Sequence, residues 1–162
     1  MLQNKFYPGY LMKNIVFWKK SYVKNILIKW LMVINALLIR ISGGRLGSRI
    51  SGQDVLILHT TGRKSGLPRA IPIAYFRDGQ NFFIVASNWA RDKHADWYFN
   101  LKSNPQASLE VFEKKIPVIA HEAVGDEFAH LWKIASELHP QYLAYQKNTS
   151  RRIPIMVFKP VD

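Results

Sequence analysis

A basic, glycine-containing segment between two apolar runs limits the possible fold more than any other feature of this chain. The segment reads Thr60-Thr61-Gly62-Arg63-Lys64-Ser65-Gly66 and continues as Leu67-Pro68-Arg69. Apolar residues lead into it over positions 55–58 and lead out of it over positions 70–75. Short apolar runs on both sides of a glycine-containing connection are typical of adjacent antiparallel strands. The sequence therefore predicts a β-hairpin with residues 61–69 as its turn.

The rest of the chain continues this pattern of short strands, now with helices between some of them. Strands are predicted over residues 54–60, 71–77, 82–87, 107–112, 116–123 and 153–159. Helices are predicted over residues 94–103, 126–137 and 140–148. Pro154 indicates a strand start or an edge strand, because proline cannot donate to a ladder. Consecutive strands joined by short turns argue against a parallel sheet. The expected fold is α+β and mainly β, an antiparallel barrel of about six strands with covering helices.

The charge distribution divides the 162 residues into two parts. The net charge is +12, yet residues 1–50 contain nine lysines and arginines and no acidic residue. Residues 51–162 contain 14 basic and 11 acidic residues, beginning with Asp54. The sequence predicts a basic, apolar leader over 1–50 and one barrel domain over 51–162. A basic leader favours an anionic partner.

The leader contains a predicted helix over residues 22–41. Its longest uncharged run, residues 30–39, is shorter than the roughly 20 residues that span a membrane. Asn25, Lys29, Ala36 and Arg40 form a narrow polar stripe at helical spacing. Two interpretations stay open: the helix packs on the barrel, or it rests on an anionic membrane surface. The absence of cysteine favours a cytoplasmic protein, peripheral on the membrane in the second case.

The chemistry of the predicted turn suits an anionic ligand. The guanidinium groups of Arg63 and Arg69 can clamp a phosphate, and Lys64 adds a mobile charge. Gly62 and Gly66 allow a tight turn, and we expect them to aim backbone amides at an anion. Three hydroxyl groups lie in the same stretch: Thr60, Thr61 and Ser65. The alternative is an ordinary solvated hairpin turn.

Three other regions carry candidate residues. Ser87 ends a predicted strand, where it could bond a ligand or simply cap a turn. Trp97 and Tyr98 open a helix, either as a flat wall beside an aromatic ligand or as core packing. Tyr142 and Tyr145 share one helix face, which suits either a mouth for aromatic substrates or half-buried packing.

Metal and hydrolase chemistry find no support in the sequence. The histidines lie on different predicted elements without metal-ligand spacing: His59, His94, His121, His130 and His139. No Gly-x-Ser-x-Gly elbow is present. We therefore predict neither a metal site nor a serine hydrolase.

Four blocks of sequence resemble one known family. They are TTGRKSGLPR at 60–69, ASNWA at 86–90, DWYFNLKSNP at 96–105 and HPQYLAYQKNTSRRIPIMVF at 139–158. Residues 54–160 thus resemble the deazaflavin (coenzyme F-420)-dependent nitroreductase and quinone reductase family. The resemblance implies a split β-barrel of the FMN-binding, pyridoxamine-phosphate-oxidase-like kind. It also implies hydride transfer from the reduced deazaflavin to a quinone, nitro-compound or enone.

The resemblance also implies roles for individual residues. The matching cofactor-binding positions are His59, Thr60, Thr61, Arg63, Lys64, Ser65, Gly66, Leu67, Pro68, Arg69, Ala86, Ser87, Asn88 and Trp97. The matching substrate-pocket and catalytic positions are Ser87, Tyr142 and Tyr145. Three positions depart from the family pattern and bear on the substrate: Ala74, Asn88 and His139.

Other functions remain open beside this one. The same barrel with flavin mononucleotide would use the same phosphate turn. A non-catalytic carrier of a cofactor or lipid would keep the turn without turnover. Nucleic-acid binding is disfavoured, because the leader's lysines sit among apolar residues and not on a polar face. The expected partners are a small electron acceptor, an anionic membrane through residues 1–50, and a second copy in a homodimer.

Overall fold

The computed structural model describes residues 34, 49–50, 52–112 and 114–161. The strands are β1 Arg49–Ile50, β2 Gln53–Thr61, β3 Pro68–Ala74, β4 Phe76–Asp78, β5 Asn81–Val85, β6 Gln106–Val111, β7 Lys114–Glu122 and β8 Ile155–Pro160. The helices are α1 Asp96–Ser103, α2 Gly125–Leu138 and α3 Gln141–Lys147, and a single turn covers Asn88–Ala90. The helix predicted over residues 22–41 lies outside the described residues apart from Ile34.

The strands pair only with antiparallel neighbours, in one curled sheet. The order runs β1-β2-β6-β7-β8-β5-β4, and β3 pairs with β2. β3 and β4 are two halves of one predicted strand, interrupted at Tyr75. The first half pairs with β2 and the second with β5. Because one bent segment joins both sides of the sheet, the strands enclose a barrel, as the sequence predicts.

One strand differs from its predicted bounds, and one of the two alternatives predicted for Pro154 is confirmed. The strand predicted over residues 82–87 ends at Val85, so Ala86 and Ser87 lie in the loop beyond it. The strand that follows Pro154 lies between β5 and β7 in the middle of the sheet. Pro154 therefore marks a strand start and not an edge, which is consistent with its missing amide donor.

Two apolar clusters lie on opposite faces of the sheet because successive side chains of a strand point to opposite faces. In β5, Phe82 and Ile84 belong to the inner cluster, whereas Phe83 and Val85 belong to the outer one. Helix α1 contributes Trp97 to the inner cluster. Helices α2 and α3 cover the outer cluster through residues that include Leu131 and Tyr142. The helix α1 therefore packs into the barrel interior and sits next to the β2–β3 turn.

No helix in the described ranges is long and apolar enough to cross a membrane.

Candidate functional site

The β2–β3 connection is a six-residue turn that closes on itself. The Gly62 amide donates to the Leu67 carbonyl at 2.8 Å. The Gly66 and Ser65 amides both donate to the Gly62 carbonyl, at 2.7 and 3.2 Å. A side chain at Gly62 would place its Cβ only 2.8 Å from Ser65 Oγ and 3.2 Å from the Leu67 carbonyl oxygen. A Cβ atom here would force the Ser65 hydroxyl and the Leu67 carbonyl to shift, so the glycine lets the turn close as tightly as the sequence predicts.

These bonds correct one expectation about the turn. The amides of Gly62 and Gly66 donate inside the turn, so they do not face an anion. The Leu67 amide donates to Ser65 Oγ at 3.3 Å, and the Arg63 amide donates to Asn100 Oδ1 at 3.1 Å. The backbone donors of a compact turn satisfy one another, which leaves anion binding to the side chains.

Helix α1 fixes the position of the turn. Asn100 is buried, and its Nδ2 atom donates to Thr60 Oγ1 at 3.2 Å while its Oδ1 atom accepts from the Arg63 amide. The Arg63 guanidinium lies 3.3 Å from Asp96 Oδ1 and 4.8 Å above the centre of the Phe99 ring. Asn100 is a site-building residue that the sequence analysis missed, although it lies in the block DWYFNLKSNP.

The remaining predicted residues of the turn point to solvent or to the outer face of β2. The exposed ones are Thr61, Lys64, Ser65, Gly66, Leu67, Pro68 and Arg69. Arg69 Nη2 donates to Ser65 Oγ at 3.2 Å. His59 is half-buried, with its Nε2 atom 2.8 Å from Glu110 Oε2. The turn therefore presents a cluster of exposed cations on a rigid backbone, a donor set that suits a phosphodiester.

The loop after β5 holds an unusual backbone conformation. Asn88, Trp89 and Ala90 have φ values of 48°, 53° and 56°, so three consecutive non-glycine residues are left-handed. Each such residue costs about 1–2 kcal/mol relative to right-handed backbone. Asn88 Nδ2 donates to the Lys93 carbonyl at 2.7 Å, and the Trp89 side chain is 52% exposed. Strain of this kind concentrates at ligand-binding sites.

Arg151, which the sequence analysis did not single out, binds the backbone carbonyls of this loop. Its Nη2 atom lies 2.6 Å from the Ser87 carbonyl oxygen, and both terminal nitrogens lie 3.4 Å from the Ala86 carbonyl oxygen. Its Nε atom donates to the Arg91 carbonyl at 2.8 Å. The pattern RR at positions 151–152 gave no signal that distinguished the two arginines.

His94 links the loop to α1. Its Nδ1 atom lies 2.9 Å from Nη1 of Arg151, which carries only donors, so Nδ1 accepts and the ring is neutral. Burial and then the Arg151 charge lower the pKa of His94. The His94 ring packs 4.7 Å from the Tyr98 ring and 5.8 Å from the Phe99 ring.

Tyr98 itself bonds away from the loop. Its hydroxyl donates to Glu122 Oε2 at 2.9 Å, and Lys102 Nζ lies 3.1 Å from the same oxygen. Burial, together with the bond to Glu122, raises the pKa of Tyr98 to about 12. Burial opposes ionisation of Glu122, but the bonds from Lys102 and Tyr98 outweigh it and lower the pKa of Glu122.

The turn and the loop thus meet along one rim of the barrel. Phe99 contacts Arg63 of the turn and His94 of the loop, and Arg151 joins His94 to Ser87. Trp97 does not line this rim, since it is only 8% exposed and packs in the inner cluster. Its position beside a cofactor ring stays a prediction.

The two candidate tyrosines have different environments. Tyr142 is 5% exposed in the outer cluster, and its hydroxyl accepts from Gln53 Nε2 at 3.1 Å. Burial raises the pKa of Tyr142. Tyr145 is half-buried, with its ring edge-on to that of Tyr142 at 6.0 Å. Of the pair, Tyr145 is the more accessible.

In the part of the chain that the structure describes, no group of three histidine or acidic side chains is arranged to hold a metal ion.

Comparison with known proteins gives consistent results. The sequence model of the family described as F420H(2)-dependent quinone reductase matches residues 31–160. An F420H(2)-dependent quinone reductase of Mycobacterium tuberculosis is 40% identical over 120 residues, which cover 72% of this chain and 80% of that protein.

Two solved structures are similar in fold as well as in sequence. An F420-H2 dependent reductase superposes with a TM-score of 0.60 at 38% identity, covering 65% of this chain and 93% of the other. A structure described as a domain-swapped dimer gives a TM-score of 0.62 at 31% identity, covering 87% of this chain and 99% of the other. These likenesses confirm the predicted split β-barrel. The chain belongs to the F420H(2)-dependent quinone reductase family.

Proposed function

We propose that the β2–β3 turn holds the phosphodiester of reduced coenzyme F-420 while the protein reduces a quinone. Family membership makes the protein an oxidoreductase that depends on this coenzyme. The bound coenzyme supplies the hydride, and the protein supplies binding, orientation and charge. The observation that carries the proposal is the exposed cation cluster on a turn whose backbone is held by Asn100.

The residues of the turn have different roles in binding the coenzyme. Lys64 and Arg69 are the exposed cations and bind the phosphodiester, because charge-assisted hydrogen bonds are the strong ones. Arg63 is partly held by Asp96 and Phe99, so it contributes charge from a fixed position. Thr61 and Ser65 supply hydroxyl donors beside the cations. The other predicted cofactor-binding residues, including His59, shape the surface around them.

The loop after β5 and helix α3 complete the proposed site. Ala86, Ser87 and Asn88 lie along the ring system of the coenzyme, and Ser87 orients either the ring or the substrate. Tyr145, or Tyr142 behind it, protonates the reduced acceptor. Burial raises the pKa of Tyr142, so its phenol stays protonated at neutral pH, as a donor must. Nitro-compounds and enones are further candidate acceptors.

Calorimetry on the double variant Lys64→Ala/Arg69→Ala tests the phosphate assignment. Each lost charge-assisted bond is worth about 1.5–3 kcal/mol, so we expect the Kd for the coenzyme to rise by roughly 100-fold or more. Lys114→Ala/Lys115→Ala, in the exposed β6–β7 hairpin, removes two cations elsewhere and should leave the Kd unchanged. A wild-type Kd in the first variant would disprove the assignment.

The same titration with flavin mononucleotide shows which of the two cofactors the protein binds. Binding of the coenzyme without reduction of a quinone would indicate a non-catalytic carrier.

We also propose that residues 1–50 form a separate leader that contacts an anionic membrane from the cytoplasmic side, and that the protein forms a homodimer. The leader's basic and apolar composition supports the first, and the similarity to a domain-swapped dimer supports the second. Sedimentation with anionic vesicles, with and without residues 1–50, tests membrane contact. Light scattering measures the oligomeric state.

A further inference from the structure

We propose that Arg151 is a positioning residue that holds the loop of residues 86–91 in its left-handed conformation. This inference rests on the proposed function, because the loop is the segment assigned to the coenzyme ring. A fixed loop presents the ring at a defined distance from the acceptor, which favours hydride transfer.

The hydrogen bonds of the guanidinium group support the role. Arg151 reaches both ends of the loop at once, with Ala86 and Ser87 carbonyls at one end and the Arg91 carbonyl at the other. Every acceptor named here is an uncharged carbonyl, and the other contacts are the neutral His94 ring and, at 3.5 Å, the Arg152 carbonyl. A planar fork with five donors can bridge such a set, whereas the compact ammonium group of lysine cannot.

The backbone of the loop explains why such a clamp is needed. Three consecutive left-handed residues without glycine are unfavourable for a free chain, so the surrounding contacts must hold them. Asn88 contributes one contact through the Lys93 carbonyl. Two backbone bonds also cross the loop, from the Ala90 amide to the Ser87 carbonyl and from the Arg91 amide to the Asn88 carbonyl. Arg151 contributes the side-chain contacts that join its two ends.

Arg151 is itself anchored to a helix. Gln146 Nε2 of α3 donates to the Arg151 carbonyl at 3.0 Å, and Gln146 Oε1 accepts from the Ile153 amide at 3.0 Å. The clamp is therefore fixed to the helix that carries Tyr142 and Tyr145. The loop proposed to lie along the coenzyme ring and the helix proposed to donate the proton are thereby held in one relative position.

Limited proteolysis of the full-length protein without coenzyme tests the clamp directly. Trypsin can cut after Arg91 and Lys93, which are both exposed. In Arg151→Lys and Arg151→Met we expect cleavage at these two bonds to accelerate at least tenfold, with cleavage unchanged at sites other than 151 and 152. Arg152→Met is the matched control, because Arg152 lies over the Phe128 ring at 4.0 Å and not on the loop. It should cleave as the wild type does.

Kinetics with the coenzyme provide the second readout. We expect kcat to fall at least tenfold in Arg151→Lys, while the Kd for the coenzyme changes less than threefold, because the turn supplies most of the affinity. Wild-type cleavage and kcat in Arg151→Lys would overturn the proposal, and so would equal acceleration of cleavage at every site, which indicates a general structural role. If Arg151→Met does not fold, Arg151→Lys decides. If the wild type binds no coenzyme, the proposed function fails, and the cleavage test still reports on the clamp.

Discussion

The Nδ2 atom of Asn100 donates to the Thr60 hydroxyl at 3.2 Å, and this bond joins α1 to the last buried residue of β2. Through its Oδ1 atom the same side chain accepts from the Arg63 amide, at the start of the turn. One buried amide thus sets where the cation cluster stands relative to the barrel.

Replacing Asn100 with alanine should therefore damage both stability and binding. The Thr60 hydroxyl and the Arg63 amide lose their partner, and an unsatisfied buried group costs about 1–3 kcal/mol. We expect thermal unfolding to shift down by about 4–8 °C and the Kd for the coenzyme to rise at least fivefold. Asn104→Ala is the control, since Asn104 caps only the Gln106 amide at an exposed position. Unchanged binding in Asn100→Ala would show that the turn holds its shape alone.

Glycine at position 90 should stabilise the protein. Ala90 has a φ of 56°, and glycine adopts this conformation without the steric cost of a Cβ atom. Glycine also has more conformational entropy in the unfolded chain, which offsets part of this effect. The free energy of unfolding should still rise by about 1 kcal/mol, measured as a higher urea midpoint.

A second left-handed position supplies the control for Ala90→Gly. Phe112 has a φ of 46° in the β6–β7 hairpin and is 62% exposed. Phe112→Asn should relieve strain without changing turnover, because asparagine tolerates left-handed backbone. Ala90→Gly should likewise leave kcat near the wild-type value, because glycine favours the left-handed conformation and the Arg151 contacts to the Ser87 and Arg91 carbonyls remain. A lower urea midpoint in Ala90→Gly would contradict the strain assignment.

We expect Tyr142 and Tyr145 to have different functions. Tyr145→Phe removes the accessible hydroxyl and should lower kcat by about 10²-fold or more if this group donates the proton. Tyr142→Phe removes the partner of Gln53, so we expect a loss of about 1 kcal/mol in the free energy of unfolding with kcat within twofold of wild type. Steady-state kinetics and urea titration measure the two effects. A large kcat loss in Tyr142→Phe alone would reverse the assignment.

Stability should fall at mildly acidic pH because of His94. The pKa of His94 is lowered in the folded protein, so near and below its ordinary value the unfolded chain binds more protons than the folded one. The free energy of unfolding therefore decreases as the pH falls from above 6.5 toward the folded-state pKa. His94→Gln, which keeps a hydrogen-bond acceptor, should flatten this dependence. Urea midpoints at pH 7.5 and 5.5 measure it, and an unchanged slope in the variant would exclude His94 as the cause.

Several features of the fold follow from local patterns. The β2–β3 hairpin, the Asp78–Asn81 turn and the three described helices lie close to their predicted bounds, because apolar periodicity and glycine or proline positions act locally. The break at Tyr75 did not follow from its residues. It arises because one segment must pair with β2 on one side of the barrel and β5 on the other.

The order of residues alone established the family, the barrel, and a cation-rich turn suited to phosphate, since these depend on residue type and spacing. Tertiary packing decided which of these groups are exposed and which are buried. It turned the glycine amides inward, buried Trp97 and Tyr142, and brought Asn100 and Arg151 to the rim from positions 37 and 64 residues away from their partners Arg63 and Ser87. Such contacts depend on where folding places distant backbone groups, and no short window of sequence encodes that.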